Sequence, residues 1–408
     1  MRPDGVPAIW STRCRWPVVP GRTALMEGAT AELMIVAGEA SGDLHGATLA
    51  HHLRRLAPSV SLSGMGGSRM AEAGVGLLSD VSRLAVVGAM EAVGRLPGLY
   101  RAYRGLVRRL KERPPRAVVL IDFPEFNLRL ARTAKRLGVP IVYFIPPQVW
   151  AWRPRRARLI ARLATRVLVV FPFEVPLYES AGARVEFVGH PLLDRLTSPP
   201  SRRQARDGLG VAADATLVGL LPGSRKEEVE RLLPEMVGAA ARIAEARPDA
   251  QFVLALAPTA DRDLVSALVA ASPLKISVVS GATYDAMAAS DALLVASGTA
   301  TLEAALIGTP MVVCYRVSRL SEAMGRLLIR IPWISLVNIV AGRAVVPELL
   351  QDDATAGRMA KEALALLASP SACEAQGAAF AQIRRKLGGA GVGERAARSV
   401  LEVAGLPP

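Results

Sequence analysis

Short apolar runs alternate with amphipathic stretches along most of this chain. Each run is four to seven residues long, as buried strands are, and each is followed by a stretch with helical periodicity. The predicted strands begin at Leu33, Arg116, Pro140, Arg166, Arg184, Thr216, Gln251, Lys275, Asp291 and Pro310. This alternation is typical of parallel, doubly wound α/β sheets.

The alternation is interrupted at residues 197–204, where Pro, Ser and charged residues cluster as in a linker. We therefore predict two Rossmann-like domains, at residues 31–196 and 206–385, and a C-terminal helix at 386–408 that packs back on the fold. Residues 1–30 are expected to be a disordered leader, or an upstream start-codon assignment with Met26 as the true beginning. Two such domains would face a central cleft, where open α/β sheets bind ligands.

Charge and composition narrow the class of protein. The 408 residues include 50 Lys and Arg against 36 Asp and Glu, a formal net charge of +14. Such a balance favours nucleic acid, an anionic membrane surface or phosphorylated substrates as partners. No run of 18 apolar residues occurs, so no membrane-spanning helix is predicted. The three cysteines lack the spacing of metal or redox motifs, and there are only four histidines, so neither a metal site nor disulfides are predicted.

A turn in the second predicted domain has the chemistry of a diphosphate site. Ser297, Gly298 and Thr299 follow a buried strand and precede a helix, which Ser297 or Thr299 can cap. The free N–H groups and the helix dipole would favour an anion there. Glu303, one turn further, can accept hydrogen bonds from two ribose hydroxyls. The alternative is an ordinary capped helix start with a solvated Glu303.

A second turn of this kind follows the first strand of the same domain. Gly223 and Ser224 can present N–H groups to a phosphate, and Arg225 adds a bidentate guanidinium. An arginine at a solvated helix start is the simpler interpretation of Arg225 alone. Two phosphate-type turns in one domain favour a nucleoside diphosphate ligand.

Two features of the first predicted domain could take part in catalysis or in ligand binding. Asp122 ends an apolar strand and can accept a proton from an attacking hydroxyl, with Glu125 as the rival base; either carboxylate could instead cap a helix. The loop from Gly38 to Gly46 suits a phosphate or a sugar but lacks a Walker lysine. Its candidate binding residues are Gly38, Ser41, Gly42 and Asp43. His45 and His190 could make polar contacts or be structural.

Residues 86–111 predict a basic amphipathic helix. Its apolar residues recur at helical spacing and its other faces carry arginines, so it can lie on an anionic leaflet or contact an acyl chain. The candidate membrane or acyl residues are Met90, Val93, Leu96 and Leu99, followed by Tyr103, Leu106 and Leu110. A core-facing helix with solvated arginines is the alternative. A second basic cluster after Trp150 suits a membrane interface or single-stranded nucleic acid.

Eight motifs in chain order resemble those of the lipid-A-disaccharide synthases, from about Leu33 to the C-terminus. They are Val-Ala-Gly-Glu-Ala-Ser-Gly-Asp at 36–43, Ile-Asp-Phe-Pro-Glu-Phe-Asn at 121–127, Pro-Gln-Val-Trp-Ala-Trp-Arg at 147–153, Pro-Phe-Glu at 172–174, Phe-Val-Gly-His-Pro at 187–191, Leu-Leu-Pro-Gly-Ser-Arg at 220–225, Ala-Ser-Gly-Thr-Ala-Thr-Leu-Glu at 296–303 and Asn-Ile-Val-Ala-Gly-Arg at 338–343. Each motif alone is weak, but the ordered set is specific.

The resemblance implies an inverting glycosyltransferase of the GT-B fold that needs no cofactor. The family transfers diacylglucosamine from its UDP derivative to diacylglucosamine 1-phosphate, forming a β-1,6-linked disaccharide and UDP. It implies Asp122 as the base for the acceptor 6-hydroxyl and Arg225 as the group that neutralises the departing diphosphate. The remaining implied roles are ribose binding by Glu303, phosphate binding by Ser297, Gly298 and Thr299, sugar or phosphate binding by Asn338, and acceptor binding by the loop at 38–43.

The implied substrates are anionic amphiphiles of the inner leaflet, which explain the basic amphipathic helix better than nucleic acid does. We therefore expect a cytoplasmic enzyme, peripheral on the inner membrane of an outer-membrane-bearing bacterium, and a homodimer. Three alternatives share this fold. They are the UDP-GlcNAc transferase of peptidoglycan precursor synthesis, a UDP-sugar 2-epimerase, and a non-catalytic lipid- or nucleotide-binding protein.

Overall fold

The structure is a computed structural model that describes residues 31–81, 91–152, 155–257, 259–318 and 332–407. The side chains of residues 91–96 and of Trp152 are also outside the description. The expected leader at 1–30 and the candidate Met90 therefore lie outside the described residues, as do the side chains of Val93 and Leu96.

Seven parallel strands form the first sheet, in the order β3-β2-β1-β4-β5-β6-β7. The two central strands, β1 and β4, are continuous apolar runs, and such runs are stable where helices cover both faces of a sheet. The strands are β1 (Glu32–Ala37), β2 (Ser61–Gly66), β3 (Gly76–Asp80), β4 (Ala117–Ile121), β5 (Ile141–Phe144), β6 (Arg166–Val169) and β7 (Val185–Phe187).

Helices connect these strands and cover the sheet. They are α1 (Ala40–Leu56), α2 (Ser68–Glu72), α3 (Glu91–Glu112), α4 (Pro124–Arg136), α5 (Val149–Trp152), α6 (Arg155–Leu163), α7 (Glu174–Ser180) and α8 (Leu192–Arg195). Helix α3 continues through Pro97 and packs on α4, while α4 packs on α6. These three helices therefore form one layer on the outside of the first sheet.

The second sheet has six parallel strands in the order β10-β9-β8-β11-β12-β13. Its strands are β8 (Leu217–Leu221), β9 (Gln251–Leu256), β10 (Ile276–Ser280), β11 (Ala292–Ala296), β12 (Met311–Tyr315) and β13 (Glu348–Leu350). The helices of this part are α9 (Arg202–Leu209), α10 (Lys226–Ala246), α11 (Arg262–Ala270), α12 (Thr283–Ala289), α13 (Thr299–Ile307), α14 (Leu336–Ala341), α15 (Ala356–Ala368) and α16 (Pro370–Lys386).

The last helix, α17 (Val392–Ala404), returns to the first sheet and packs against α1. The carboxylate of Asp194 accepts hydrogen bonds from the N–H groups of Gly391, Val392 and Gly393, at 2.6, 3.1 and 3.0 Å. This carboxylate therefore occupies the positive end of the α17 dipole. Arg166, only 5% exposed, binds Glu402 near the other end of the helix.

The two parallel sheets confirm the predicted α/β fold, with all ten predicted strands in place. The domain limits at 196, 206 and 385 stay predictions. Within the described ranges, no helix combines the length and the apolarity needed to cross a bilayer.

The described part of α3 corrects one expectation. Leu106 and Leu110 are completely buried in the core of the first sheet, and the partly buried Leu99 and Tyr103 pack against the same core. The apolar stripe therefore faces the protein along this part of the helix, because an apolar stripe on a helix beside a sheet is buried first against that sheet. A direct acyl contact of Leu99 stays a prediction.

Candidate active site

The turn after β4 has an unusual backbone. Asp122 and Phe123 have φ angles of +42° and +47°, and Ile145, after the neighbouring strand β5, has +53°. Residues other than glycine seldom adopt this left-handed region, since it costs of order 1 kcal/mol or more per residue, and such residues cluster at functional sites. The turn therefore needs bonds that hold it in place.

Two buried side chains hold the carbonyl of Asp122. Asn127, in the first turns of α4, donates from Nδ2 to the carbonyl oxygens of Ile121 and Asp122 at 3.1 and 2.8 Å. The hydroxyl of Tyr143, from β5, donates to the carbonyl of Asp122 at 2.8 Å. The N–H of Asp122 donates to the carbonyl of Ile145 at 3.1 Å. The backbone that carries the predicted base is thus fixed on both sides.

Electrostatics favour proton transfer at Asp122. Burial, followed by the negative charge of Glu39, raises the pKa of this carboxyl to about 6, against a lowering by the N–H of Phe123. A carboxyl with this pKa is largely ionised near neutral pH and is a stronger base than an ordinary aspartate. The hydrogen bonds described above hold the turn through the backbone of Asp122.

The Gly38 loop lies beside this turn. In the sheet Ala37 pairs with Ile121, so Gly38 and Asp122 follow neighbouring strand ends. A Cβ at Gly38 would lie 2.1 Å from the ring of Phe123, which stacks on Phe126 at 5.4 Å. Glycine is therefore required at position 38 so that the Phe123 ring can pack there.

The other three acceptor candidates differ in what they can offer to a ligand. Ser41 is exposed and Gly42 is buried against Ala37. The buried carboxylate of Asp43 accepts hydrogen bonds from three N–H groups at the start of α2, those of Gly67, Arg69 and Met70. Asp43 is thus already used as a helix cap, and its role toward the acceptor stays a prediction.

The turn at Gly223 lies at the equivalent edge of the second sheet. Gly223 has a φ of +108°, and a Cβ there would lie 3.4 Å from the Cβ of Ala296, at the end of β11. The two phosphate-type turns are therefore neighbours. The Arg225 side chain is 75% exposed and forms an ion pair with Glu228 at 2.5 Å. The charge of Glu228 is the main cause that raises the pKa of Arg225, with a smaller effect of Glu39.

At the second turn the structure corrects the predicted cap. Helix α13 begins at Thr299 with Gly298 as its N-cap, and neither Ser297 nor Thr299 caps it with its side chain. The Ser297 hydroxyl instead donates to the carbonyl of Ile334 at 3.2 Å. Among the described residues, no side-chain hydrogen bond therefore caps the start of α13.

Glu303 is held between groups from both halves of the chain. Its Oε1 accepts a hydrogen bond from the Tyr284 hydroxyl at 2.9 Å and lies 3.7 Å from the guanidinium of Arg195. Arg195 belongs to α8 beside the first sheet, and its guanidinium is 5.7 Å from the ring centroid of Tyr284. Glu303 is only 15% exposed. Its second oxygen, Oε2, accepts no hydrogen bond from another described residue.

Asn338 is buried and its amide is fully used inside the protein. Its Oδ1 accepts from the N–H groups of Val345 and Val346, and its Nδ2 donates to the carbonyl of Val346 and to Glu348 at 3.0 and 2.8 Å. Glu348 also accepts from the N–H groups of Ile334 and Ser335. This network fixes the segment that binds Ser297, so direct contact of Asn338 with a sugar or phosphate stays a prediction.

The two candidate histidines are neutral near physiological pH. Burial, followed by the charge of Arg195, lowers the pKa of His45 to about 4. Burial, and then His45, lowers the pKa of His190 to about 3. Nδ1 of His190 accepts a hydrogen bond from the N–H of Leu192 at 3.3 Å. Both imidazoles are therefore weaker bases than the carboxyl of Asp122, whose pKa is about 6.

Sequence reasoning missed several residues of these two sites. Glu39 and Asn127 lie inside the motifs quoted above, and Glu228 lies three residues after the end of another, but only the structure gives their contacts. Tyr284 and Tyr143 had a weaker signal, namely that a buried tyrosine hydroxyl needs a hydrogen-bond partner. Throughout the described ranges, no group of three or more His, Cys, Asp or Glu side chains could hold a metal ion.

The arrangement of the two sheets defines the class of protein. The fold is similar to that of CalG4, the calicheamicin glycosyltransferase, with a TM-score of 0.57, 18% identity, and 92% of this chain and 98% of that chain covered. It is similar to MurG of Acinetobacter baumannii at a TM-score of 0.57 and 14% identity, over 92% and 100% of the two chains. The UDP-GlcNAc 2-epimerase of Neisseria meningitidis, solved bound to UDP-GlcNAc, has a TM-score of 0.62 and 13% identity, over 91% and 100%. The chain thus has the two-domain fold of GT-B glycosyltransferases.

Sequence similarity identifies the family within that class. A profile described as lipid-A-disaccharide synthetase matches residues 33–397. The lipid-A-disaccharide synthase of Geobacter sulfurreducens is 47% identical over 381 residues, which are 93% of this chain and 99% of the relative. That of Syntrophus aciditrophicus is 48% identical over 366 residues, 90% and 96% of the two chains. The chain belongs to the lipid-A-disaccharide synthetase family, and it is a glycosyltransferase.

Proposed function

We propose that this protein is a lipid-A-disaccharide synthase. It transfers 2,3-diacylglucosamine from UDP-2,3-diacylglucosamine to 2,3-diacylglucosamine 1-phosphate, and it releases the β-1,6-linked disaccharide 1-phosphate and UDP. The observation that carries the chemistry is the Asp122 carboxyl, held on a fixed turn at the carboxyl end of a central strand with its pKa raised to about 6. Family membership supplies the substrate class.

In the proposed reaction Asp122 accepts the proton of the acceptor 6-hydroxyl. The hydroxyl oxygen forms a bond to the anomeric carbon of the donor sugar, and the bond from that carbon to the diphosphate oxygen breaks. The electron pair leaves with UDP, and attack from the opposite face inverts the anomeric centre. Because a single displacement needs no covalent intermediate, one base and one group that neutralises the leaving diphosphate are sufficient.

The second sheet supplies the proposed donor site. Arg225 is exposed and can reach the diphosphate, while the start of α13 offers N–H groups and the positive end of the helix dipole. Glu303, oriented by Tyr284, would accept the ribose hydroxyls. On the first sheet, the Gly38 loop beside Asp122 would bind the acceptor, with Ser41 as its exposed hydroxyl.

A product assay tests the activity. The purified protein is incubated with both diacyl substrates without added metal, and the products are identified by mass spectrometry. We expect a tetraacyl disaccharide phosphate and one equivalent of UDP. Transfer from UDP-GlcNAc to a lipid-linked peptidoglycan precursor, or epimerisation of the donor sugar, would replace this function with one of the alternatives on the same fold. Binding without turnover would indicate the non-catalytic alternative.

We also propose that the enzyme works at the cytoplasmic surface of the inner membrane. The outer layer formed by α3, α4 and α6 carries many exposed cations. We call this layer the basic surface; its members are Arg101, Arg104, Arg108, Lys111, Arg129, Arg132, Lys135, Arg136, Arg155, Arg158 and Arg162. Each lysine or arginine near an anionic leaflet contributes about 1 kcal/mol to binding, which suits the anionic substrates proposed above.

Sedimentation with lipid vesicles tests this location. Wild-type protein should bind vesicles that contain anionic lipid and detach as the salt concentration rises, because salt screens exposed charges. Replacing Arg104 and Arg108 by Glu should weaken the binding, while the matched change of Arg231 and Arg242, exposed on α10, should not. Equal loss of vesicle binding in both variants would contradict a specific membrane-binding surface.

A homodimer is also proposed, and light scattering of the full chain measures the molar mass that tests it.

A further inference from the structure

Glu228 lies at the centre of the Gly223 turn, although no function has been assigned to it above. It is the third residue of α10, and its side chain is only 12% exposed. One carboxylate oxygen, Oε2, lies 3.4 Å from the N–H nitrogens of both Ser224 and Arg225. The other, Oε1, binds the guanidinium of Arg225 at 2.5 Å. The carboxylate therefore contacts the turn and its arginine at once.

The turn is built closely around this carboxylate. A Cβ at Gly223 would lie 2.6 Å from Oε2 of Glu228, closer than two such atoms can approach. Gly223 also has a φ of +108°, which other residues seldom adopt. Glycine at position 223 therefore serves the approach of Glu228, in addition to any approach of a phosphate.

The contact with Arg225 restricts an otherwise mobile side chain. Arg225 is 75% exposed, and its guanidinium forms no other hydrogen bond in the described part of the chain. A free arginine side chain loses rotamer entropy when it is fixed, and an ion pair formed in advance reduces this loss on ligand binding. With one terminal nitrogen bound to Glu228, the remaining N–H groups can still face the cleft.

We propose that Glu228 is a positioning residue that aims the Arg225 guanidinium at the departing diphosphate. This inference rests on the proposed function, because it assumes that Arg225 neutralises UDP as it leaves. The competing interpretation is that Glu228 only caps α10, as glutamate or glutamine does at the third position of a capping box. A third possibility is that its negative charge merely competes with the diphosphate for Arg225.

Two substitutions separate these interpretations. Glu228→Gln keeps an oxygen that can accept from the N–H groups of the turn, but it removes the charge that pairs with Arg225. If Glu228 aims the Arg225 guanidinium, this variant should keep normal thermal stability. Its turnover should be about 10-fold lower, because a charged group would be misplaced. Capping alone predicts wild-type turnover. The matched control is Glu227→Gln, since Glu227 is exposed on the same helix turn and forms no hydrogen bond or ion pair with another described side chain; it should match wild type.

UDP binding gives a readout that does not depend on the proposed reaction, and calorimetry measures it. If Glu228 aims Arg225, Glu228→Gln weakens UDP binding several-fold, whereas a competing carboxylate would make its removal strengthen binding. In an Arg225→Ala background the second change should have no further effect on UDP binding or turnover. Additive losses, tighter UDP binding, or wild-type turnover of Glu228→Gln would each overturn the proposal. Failure of wild type to form the disaccharide would overturn the proposed function while leaving the UDP test valid.

Discussion

The turns after β4 and after β8 occupy equivalent places in the two sheets but are built in opposite ways. In the first-sheet turn, Asp122 and Phe123 take left-handed angles that glycine would adopt more easily, and buried side chains hold the backbone. In the second-sheet turn, Gly223 takes the unusual angle, and the functional side chain, Arg225, extends into solvent.

The difference follows from what each turn has to do. A base must lie within hydrogen-bond distance of one hydroxyl, so small displacements of the carboxylate lower the rate. A fixed backbone keeps the carboxylate in position. A diphosphate is large and has several oxygens that accept hydrogen bonds, so an arginine can bind it from several directions. The first-sheet turn thus combines strained backbone angles with buried side chains that hold them. In the second-sheet turn glycine relieves the backbone strain, and the carboxylate of Glu228 orients the functional side chain.

The largest expected effect comes from removing the base. Asp122→Ala should lower kcat by about 10²- to 10⁴-fold, since a general base contributes that much, and should change donor affinity far less. Kinetics with both substrates, together with UDP binding, measure the two quantities. Glu125→Ala is the matched control, because Glu125 is exposed and pairs with Arg156; wild-type kcat in Asp122→Ala, or an equal loss in Glu125→Ala, would contradict the assignment.

The next effect concerns the second-sheet turn. Arg225→Ala should lower kcat by about 10²-fold, as loss of one preorganised charge stabiliser does, and should also raise the UDP dissociation constant. The two losses appear together because the guanidinium can contact the diphosphate both before and during departure. A variant with normal UDP affinity and normal turnover would exclude this role for Arg225.

The support of the first-sheet turn gives a smaller, graded effect. Asn127→Ala removes both bonds to the Ile121 and Asp122 carbonyls and should cost about 1–3 kcal/mol of unfolding free energy, because buried carbonyls lose partners. Turnover should fall with it. Tyr143→Phe removes a single bond to Asp122 and should cost about 1 kcal/mol. Denaturant unfolding measures both.

A comparison variant sharpens this third test. Ser297→Ala removes the bond to Ile334 in the neighbouring glycine-containing turn after β11, so we expect less effect on turnover than from Asn127→Ala. If the order of the two variants were reversed, the contrast between the rigid first-sheet turn and the glycine-containing turns of the second sheet would be wrong.

The smallest effect is on pH dependence. Burial is the main cause that raises the pKa of Asp122 to about 6, and the charge of Glu39 is the second. The base must be ionised, so kcat/KM should fall as the pH drops through about 6. Glu39→Gln removes the smaller cause and should move this acid limb to lower pH by less than about one unit. A shift to higher pH would contradict the proposed influence of Glu39.

Most of the strands that the sequence predicted are largely apolar. Strand β4 reads Ala-Val-Val-Leu-Ile, and so short an apolar run with prolines on either side favours a buried strand. Strands β2, β3 and β13 were not predicted. β2 contains two serines and two glycines, β3 is an edge strand that ends in Ser-Asp, and β13 has three residues. Their pairing comes from the neighbouring strands rather than from their own pattern.

For the candidate site, residue types were easier to predict than side-chain partners. Asp122 stands out because it directly follows an apolar strand, and Arg225 because it follows a Gly-Ser turn at the end of another. Asp43 and Asn338 looked equally polar, but their side chains satisfy buried backbone groups. Whether a polar side chain is free for a ligand depends on N–H and carbonyl groups distant in sequence, which no local pattern contains. The Glu303 contact with Arg195 is an example from opposite halves of the chain.

The return of α17 to the first sheet has a mechanical consequence. The chain crosses between the two sheets near residues 197–201 and again near 387–391, and Asp194 and Arg166 fasten the second crossing. Two bodies attached at two points lose most of their six relative degrees of freedom and keep mainly rotation about the line that joins the attachments. Any opening of the cleft should therefore follow a single hinge axis. A chain that ends before α17 would have one attachment left, and small-angle scattering should detect the wider range of shapes.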